Sequence, residues 1–128
     1  MTPKKILIVD DDLRNIATIS QILLENGYRV LHAEDKDRAA KVARNSRPDL
    51  IICNAECRAL DSLELLKTMR QAQQIRGISV LFLTDSEELL EAAPGVLSPK
   101  QYLRKPYTRE QLTIAVEENL KHALAKRK

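Results

Sequence analysis

The chain has few of the residues that form disulfides, stack on aromatic partners or interrupt helices and strands. It has 128 residues, with two cysteines, three glycines, five prolines and no tryptophan. Cys53 and Cys57 are too few for a disulfide framework or a four-ligand zinc site. The three tyrosines and one phenylalanine provide no stacking platform for single-stranded nucleic acid. These absences favour a domain held together by an ordinary apolar core.

Long apolar runs and a strong excess of charge are absent as well. Residues 1–5 lead into only four apolar residues before Asp10, too few for a signal peptide or a membrane span. We therefore expect a cytoplasmic protein without membrane insertion. The net charge of +3 is too small to indicate nucleic-acid binding. Basic residues concentrate near the C-terminus, and we interpret them as a solvated helix end: Lys121, Lys126, Arg127 and Lys128.

The length and the hydrophobic content of 44% indicate one globular domain. We expect this domain to cover residues 1–128, with its core at about 4–124 and a basic helical end at 121–128. A chain of this size buries roughly two-thirds of its unfolded surface, so it needs no covalent support.

Short apolar segments alternate with segments of helical spacing. The strands are predicted at 6–9, 28–33, 49–53, 78–83 and 101–103. Helices are predicted after Asp12, over 36–45, 62–71 and 87–93, and from Thr108 onward. This repeated alternation predicts an α/β fold, a doubly wound five-stranded parallel sheet with helices on both faces.

Cap residues and apolar spacing define the predicted helices. Asp12 is expected to cap the first helix, and Gly27 to end it. The last helix opens with a capping box between Thr108 and Gln111. Pro94-Gly95 breaks the helix over 87–93. The apolar positions expected to face inward are Leu13, Ile16, Ile19, Leu23, Leu24, Ala39, Ala40, Val42, Ala43, Leu112, Ala115, Val116, Leu120 and Leu124.

Polar residues stand where the predicted strands end. Ligands of such sheets bind beyond the carboxyl ends of the strands. The residues expected to converge there are Asp10, Asp11, Asn54, Thr84 and Lys105. Two acids, an amide, a hydroxyl and an ammonium group would then form one site.

Five sequence blocks in this order resemble the response-regulator receiver domain, the phospho-acceptor module of bacterial two-component signalling. The blocks are Ile-Leu-Ile-Val-Asp-Asp-Asp (6–12), Arg-Pro-Asp-Leu-Ile-Ile (47–52), Leu-Asp-Ser-Leu-Glu-Leu-Leu (60–66), Val-Leu-Phe-Leu-Thr (80–84) and Tyr-Leu-Arg-Lys-Pro-Tyr (102–107). The resemblance implies a flavodoxin-like sheet with strand order 2-1-3-4-5.

The resemblance also implies roles for individual residues. Asp10 and Asp11 match the acidic pair that holds Mg²⁺, with Asp11 as the direct ligand. Thr84 and Lys105 match the residues that contact the phosphoryl group, and Tyr102 matches the aromatic residue that follows the threonine. The bond between Lys105 and Pro106 is expected to be cis.

The nucleophile position of the family falls on Asn54 when residues 63–66 anchor the comparison. An amide is a poor phosphoryl acceptor, since its nitrogen lone pair is delocalised and its oxygen carries no full charge. Other departures lie nearby: Arg58 replaces a proline, and Ser62 and Ser98 replace glycines. Several departures together favour a naturally degenerate receiver, a pseudo-receiver.

We therefore expect a non-enzymatic signalling module that acts by protein–protein interaction without phosphorylation. Mg²⁺ binding should be weak, through Asp10, Asp11 and, if its side chain turns inward, Glu56. Expected partners are a histidine kinase, an output domain or another regulator. The family's usual output face, its fourth helix, fifth strand and fifth helix, is a candidate homodimer surface. Here it is reshaped by Pro94-Gly95 and Pro99.

Other interpretations stay open at this stage. One is an ordinary phospho-accepting receiver carrying an Asp-to-Asn substitution at Asn54. Another is a haloacid-dehalogenase-like phosphohydrolase that uses Asp10 and Asp12, although Arg14 departs from that motif. The acidic pair could also be a relic that caps the first helix and pairs with Lys105. The long last helix is equally compatible with a fragment that continues into an output domain or a coiled coil.

Overall fold

Five parallel strands form one sheet. The structure is a computed structural model that describes residues 2–55, 78–85 and 102–127. The strands are β1 (Lys5–Val9), β2 (Arg29–Ala33), β3 (Leu50–Asn54), β4 (Ser79–Thr84) and β5 (Tyr102–Arg104). Their order is β2-β1-β3-β4-β5, and every neighbouring pair is parallel. The predicted fold class and strand order are confirmed.

Helices cover both faces of this sheet. Within the described residues they are α1 (Leu13–Glu25), α2 (Lys36–Ser46) and α3 (Arg109–Arg127). None of these three is long and apolar enough to cross a membrane. The helices predicted over 62–71 and 87–93 lie outside the described residues, together with Pro94, Gly95 and Pro99, and so does the side chain of Leu124.

The strands divide the core into two clusters. Leu7 and Val9 of β1 pack with Ala39 and Ala43 of α2 on one face. On the other face, the β1 residues that alternate with them pack with α1 and α3; the main apolar residues of this second cluster are Ile6, Ile8, Ile16, Ile19, Leu23, Leu112 and Val116. Because both faces are covered, the strand reads as a continuous apolar run rather than an alternating pattern.

Local contacts set where α1 begins and ends and where α3 begins, as the sequence predicts. The Asp12 carboxylate accepts a hydrogen bond from the Arg14 N–H at 2.8 Å, which caps α1. Gly27 follows that helix with φ +86°, a conformation that glycine adopts without steric cost. At the start of α3, the Thr108 N–H donates to the Gln111 side chain at 2.8 Å, and the Gln111 N–H donates back to Thr108 Oγ1 at 3.0 Å.

Some details differ from the predictions. Leu13 and Leu24 are 65% and 58% exposed, because α1 buries only the narrower stripe of Ile16, Ile19 and Leu23. Ala40 and Val42 are half-buried rather than fully inside. Three strands end one residue later than predicted. Asn54 and Thr84 are therefore the last residues of β3 and β4, since ladder pairing continues through them.

Candidate functional site at the carboxyl edge of the sheet

The strand register brings the predicted site residues together. Val9 pairs with Cys53, and Asn54 pairs with Leu83, so Asp10, Asn54 and Thr84 reach the same edge. Asp10 is held there by its backbone, since its N–H donates to the Ala33 carbonyl at 3.1 Å. Lys105 follows the end of β5, and its N–H donates to the Thr84 carbonyl at 2.9 Å.

Asn54 bridges two opposite charges. Its Nδ2 donates to Asp10 Oδ2 at 3.2 Å, and its Oδ1 accepts from the Lys105 ammonium at 2.7 Å. Asn54 is 8% exposed and Asp10 is 1% exposed, so both contacts are shielded from water. Hydrogen bonds to charged groups contribute more than neutral ones, about 1.5–3 kcal/mol each. The three side chains form a continuous chain, which we call the Asp10–Asn54–Lys105 bridge.

The chemistry of the two neighbours fixes the orientation of the amide. A lysine ammonium only donates, and an ionised carboxylate only accepts. Exchanging the oxygen and nitrogen of Asn54 would set donor against donor at Lys105 and acceptor against acceptor at Asp10. A carboxylate at position 54 could still accept from Lys105, but no proton would separate it from Asp10. The amide therefore suits this pair of charges without a cation.

Thr84 and Asp10 are the most deeply buried polar residues of the edge. Thr84 is 0% exposed, and it ends β4 beside Lys105, the first residue after β5. The peptide bond between Lys105 and Pro106 is cis. Tyr102, on β5, is half-buried and packs against the core cluster on the α2 face.

The acidic residues after β1 have separate roles. Asp10 Oδ1 accepts from the Asp12 N–H at 2.9 Å, so both of its carboxylate oxygens have donors. Asp11 is exposed, and one carboxylate oxygen of Asp12 accepts the hydrogen bond that caps α1. The cap of α1 is thus Asp12, and Asp10 reaches Lys105 through Asn54. In the described part of the chain, no group of three or more His, Cys, Asp or Glu residues is arranged to hold a metal ion.

A cavity of about 140 Å³ adjoins the bridge. Sequence reasoning did not include four of its lining residues in the site; they are Asn15, Ile19, Leu83 and Tyr107. Tyr107 directly follows Lys105 and Pro106, and Asn15 lies in the first turn of α1. Their closeness in sequence to the motif residues is the signal that could have placed them in the site. Burial, and then the negative charge of Asp10, raise the pKa of the Tyr107 phenol above its ordinary value.

Other predicted features lie outside the described residues. These are the candidate ligand Glu56 and the departures at Arg58, Ser62 and Ser98. Cys53 is described, and it is a fully buried cysteine next to Asn54. It belongs to the core cluster on the α2 face.

Comparisons with known proteins agree with the fold. A family model described as "Response regulator receiver domain" matches residues 6–117. The chain is 34% identical over 122 residues to the alkaline phosphatase synthesis transcriptional regulatory protein PhoP of Bacillus subtilis (strain 168), covering 94% of this chain and 50% of that protein. The chain spans about half the length of the curated relatives it matches.

Solved structures give the same result. The chemotaxis response regulator CheY4 of Vibrio cholerae matches with a TM-score of 0.81 and 28% identity, covering 91% of this chain and 98% of that one. The receiver domain of the sensor histidine kinase PA1611 from Pseudomonas aeruginosa PAO1 matches with a TM-score of 0.80 and 25% identity, covering 94% and 99%. That structure has a magnesium ion coordinated in its active-site cleft.

Proposed function

Because the chain belongs to the family of response-regulator receiver domains, we propose that it is a pseudo-receiver, which signals by protein–protein interaction without aspartyl phosphorylation. The observation that carries the proposal is the Asp10–Asn54–Lys105 bridge. An amide occupies the acceptor position, and it forms hydrogen bonds with both charged neighbours, Asp10 and Lys105. Its weak nucleophilicity leaves the site without a phosphoryl acceptor.

The residues around the bridge are proposed to keep receiver-like positions with altered roles. Thr84, Tyr102 and Lys105 are the equivalents of the switch and phosphoryl-contact residues. Phosphorylation biases a receiver through contacts that exist in one state only. Without a phosphoryl group, partner binding is the remaining input that can shift the equilibrium between states.

We propose that Mg²⁺ binds weakly here. Asp10 and Asp11 supply the oxygen ligands that Mg²⁺ prefers, and Glu56 is the third candidate. Both oxygens of Asp10 already accept hydrogen bonds, so metal binding competes with Asn54 and with the Asp12 N–H. When bound, the ion would supply positive charge that neutralises the acidic pair.

The proposed partners are other signalling proteins: a histidine kinase, an output domain or another regulator. The family's output face, with its fourth and fifth helices and fifth strand, is the proposed homodimer surface. Residues 1–128 are proposed to act as a single receiver-like unit. We propose no enzymatic activity. The helix-capping role of Asp12 supports this, because the cap engages one oxygen of the carboxylate that a phosphohydrolase would need as an acid or base.

The proposal is tested by intact-mass spectrometry after incubation with Mg²⁺ and acetyl phosphate. We expect no phosphoryl adduct, and no change in the NMR signals of Thr84 and Tyr102 when beryllofluoride is added. A stable adduct of one phosphoryl group would contradict the proposal. Mapping it to Asp10, Asp12 or Asp61 would identify the acceptor.

The Asn54→Asp variant separates the two receiver interpretations. An ordinary receiver that carries only an Asp-to-Asn substitution should regain full labelling in this variant. A naturally degenerate receiver should be labelled poorly, because Arg58 and Ser62 also depart from the family pattern. Full labelling would therefore favour the ordinary receiver.

A further inference from the structure

Asparagine side chains can convert spontaneously to carboxylates, and at position 54 this conversion would create an acceptor. The backbone nitrogen of the following residue attacks the side-chain Cγ and expels ammonia, which leaves a five-membered succinimide. Water then opens the ring to aspartate or isoaspartate. The net reaction consumes one water and releases one ammonia, without any oxidant or reductant. The attack needs a backbone N–H that is free and a side chain that can turn.

Asn54 meets neither requirement. The N–H of Ala55 donates to the Leu83 carbonyl at 2.9 Å, so the attacking nitrogen is already hydrogen-bonded to the neighbouring strand β4. Asp10 and Lys105 hold the two ends of the amide. Asn54 is only 8% exposed, and its side chain must break both contacts before its Cγ can approach the backbone nitrogen. The reaction therefore requires the centre of the sheet to open first.

Asn26 is held less firmly: its side chain and the following N–H are also hydrogen-bonded, but only within an exposed helix end. It is exposed, it follows the last residue of α1, and Gly27 comes next. Gly27 has no Cβ to hinder the attack, and the space where a Cβ would lie is empty within 4 Å. The contacts there are the Asn26 Nδ2 bond to Ile22 O at 2.8 Å and the Gly27 N–H bond to Leu24 O at 3.0 Å. Both belong to the last turn of a helix, which frays readily.

From these environments we infer that Asn26 is the site of spontaneous deamidation in this chain and that folding holds Asn54 as an amide. The inference rests on the proposed function, since it makes the missing acceptor a permanent property of the folded domain. Ageing would instead add negative charge at the C-terminal end of α1, where the helix dipole disfavours it.

Peptide mapping by mass spectrometry tests the inference. The full chain is kept folded in mildly alkaline buffer, and a second sample is kept in concentrated urea. Each conversion raises a peptide's mass by about one mass unit. In the folded sample we expect the Asn26 peptide to convert first. We expect Asn54 to convert about a hundredfold more slowly in the folded sample than in urea, because the sheet must open.

The Asn26→Gln variant is the matched control, because a longer side chain forms the cyclic intermediate far more slowly. It should lose the early mass change. Conversion of Asn54 at similar rates in the folded and urea samples would overturn the inference, as would first conversion at Asn15 or Asn45, the other exposed asparagines near helix ends. Phosphoryl acceptance by freshly purified protein tests the proposed function separately, because no ageing has occurred in that sample.

Discussion

At the scale of single residues, the site is organised around one amide. Asn54 can donate to Asp10 and accept from Lys105 at the same time, which no carboxylate can do. A buried polar group that leaves its partner unsatisfied costs about 1–3 kcal/mol. The asparagine therefore stabilises the metal-free site, whereas a carboxylate would need a cation to offset repulsion from Asp10.

The Asn54→Asp variant should bind Mg²⁺ at least about tenfold more tightly than the parent chain, since a further charged oxygen faces the acidic pair. Its metal-free form should unfold at a lower temperature because two carboxylates then adjoin. Thermal unfolding with increasing Mg²⁺ measures both effects. Adding Asp11→Asn to this variant is the control and should reverse the gain. Equal Mg²⁺ affinity in parent and variant would contradict the prediction.

Tyr107 should make stability depend on alkaline pH. Its pKa is raised from 10.0, first by burial and then by Asp10. The folded state therefore holds the phenolic proton more tightly than the unfolded state. The contribution is complete below pH 10 and is lost as pH rises through the folded-state pKa. Urea unfolding across this range should show a smaller decline for Tyr107→Phe.

Tyr28 provides the matched comparison for this measurement. Its pKa is also raised, by burial and then by Glu117, but it lies away from Asp10. Tyr28→Phe should reduce the alkaline decline through a separate contribution. If Tyr107→Phe and the parent chain declined identically, the argument from burial and Asp10 would be wrong.

At the scale of elements, short polar signals determine where helices begin and end. Asp12 caps α1, and the reciprocal contacts of Thr108 and Gln111 start α3. These caps also serve the site, because they fix the chain directly after Asp10 and shortly after Lys105. The exposed Leu13 shows the limit of the apolar pattern, since a residue at helical spacing can still lie beyond the buried stripe.

Gly27→Ala should lower the free energy of unfolding by about 1 kcal/mol, because a Cβ is disfavoured in the left-handed region. Gly27 has φ +86°, and a Cβ there would meet no atom within 4 Å, so the loss reflects backbone strain rather than a clash. Gly27→Asn is the control and should lose less, since asparagine adopts this conformation more readily. Urea unfolding measures both. A larger loss for asparagine would contradict this explanation.

At the scale of the whole molecule, one sheet supports two cores. Ile51 belongs to the cluster on the α2 face and Ile52 to the cluster on the α1 and α3 face, and both are 0% exposed. The strand that ends in Asn54 therefore joins both clusters. A destabilising substitution on either face should therefore lower the stability of one cooperative unfolding unit.

Ile51→Val and Ile52→Val should each lower the free energy of unfolding by about 1 kcal/mol, since each removes one buried methylene. Far-UV circular dichroism and tyrosine fluorescence should report the same urea transition in both variants. Ile114→Val is the control: Ile114 is 47% exposed, so its change should be small. Separate transitions for the two probes would show that the faces unfold independently.

Some predicted features depend on residues close in sequence, and others depend on contacts between distant parts of the chain. The Asp12 cap, the stop at Gly27 and the capping box of α3 depend on residues close in sequence, and they are confirmed. The strand–helix alternation is confirmed within the described residues. The strand order came from the resemblance to receiver domains and is confirmed as well. Strand ends were displaced by a residue because ladder partners, rather than local composition, decide where pairing stops.

The amino-acid sequence by itself determined that an amide stands at position 54, and that two acids, a threonine and a lysine follow strand ends. Only the tertiary structure decided how they meet. Asp10 and Asn54 are 44 residues apart, and Asn54 and Lys105 are 51 apart, so the register across β1, β3, β4 and β5 sets both contacts. The burial of Tyr107 beside Asp10 was likewise beyond local reasoning, because it depends on how the loop after β5 folds over the edge.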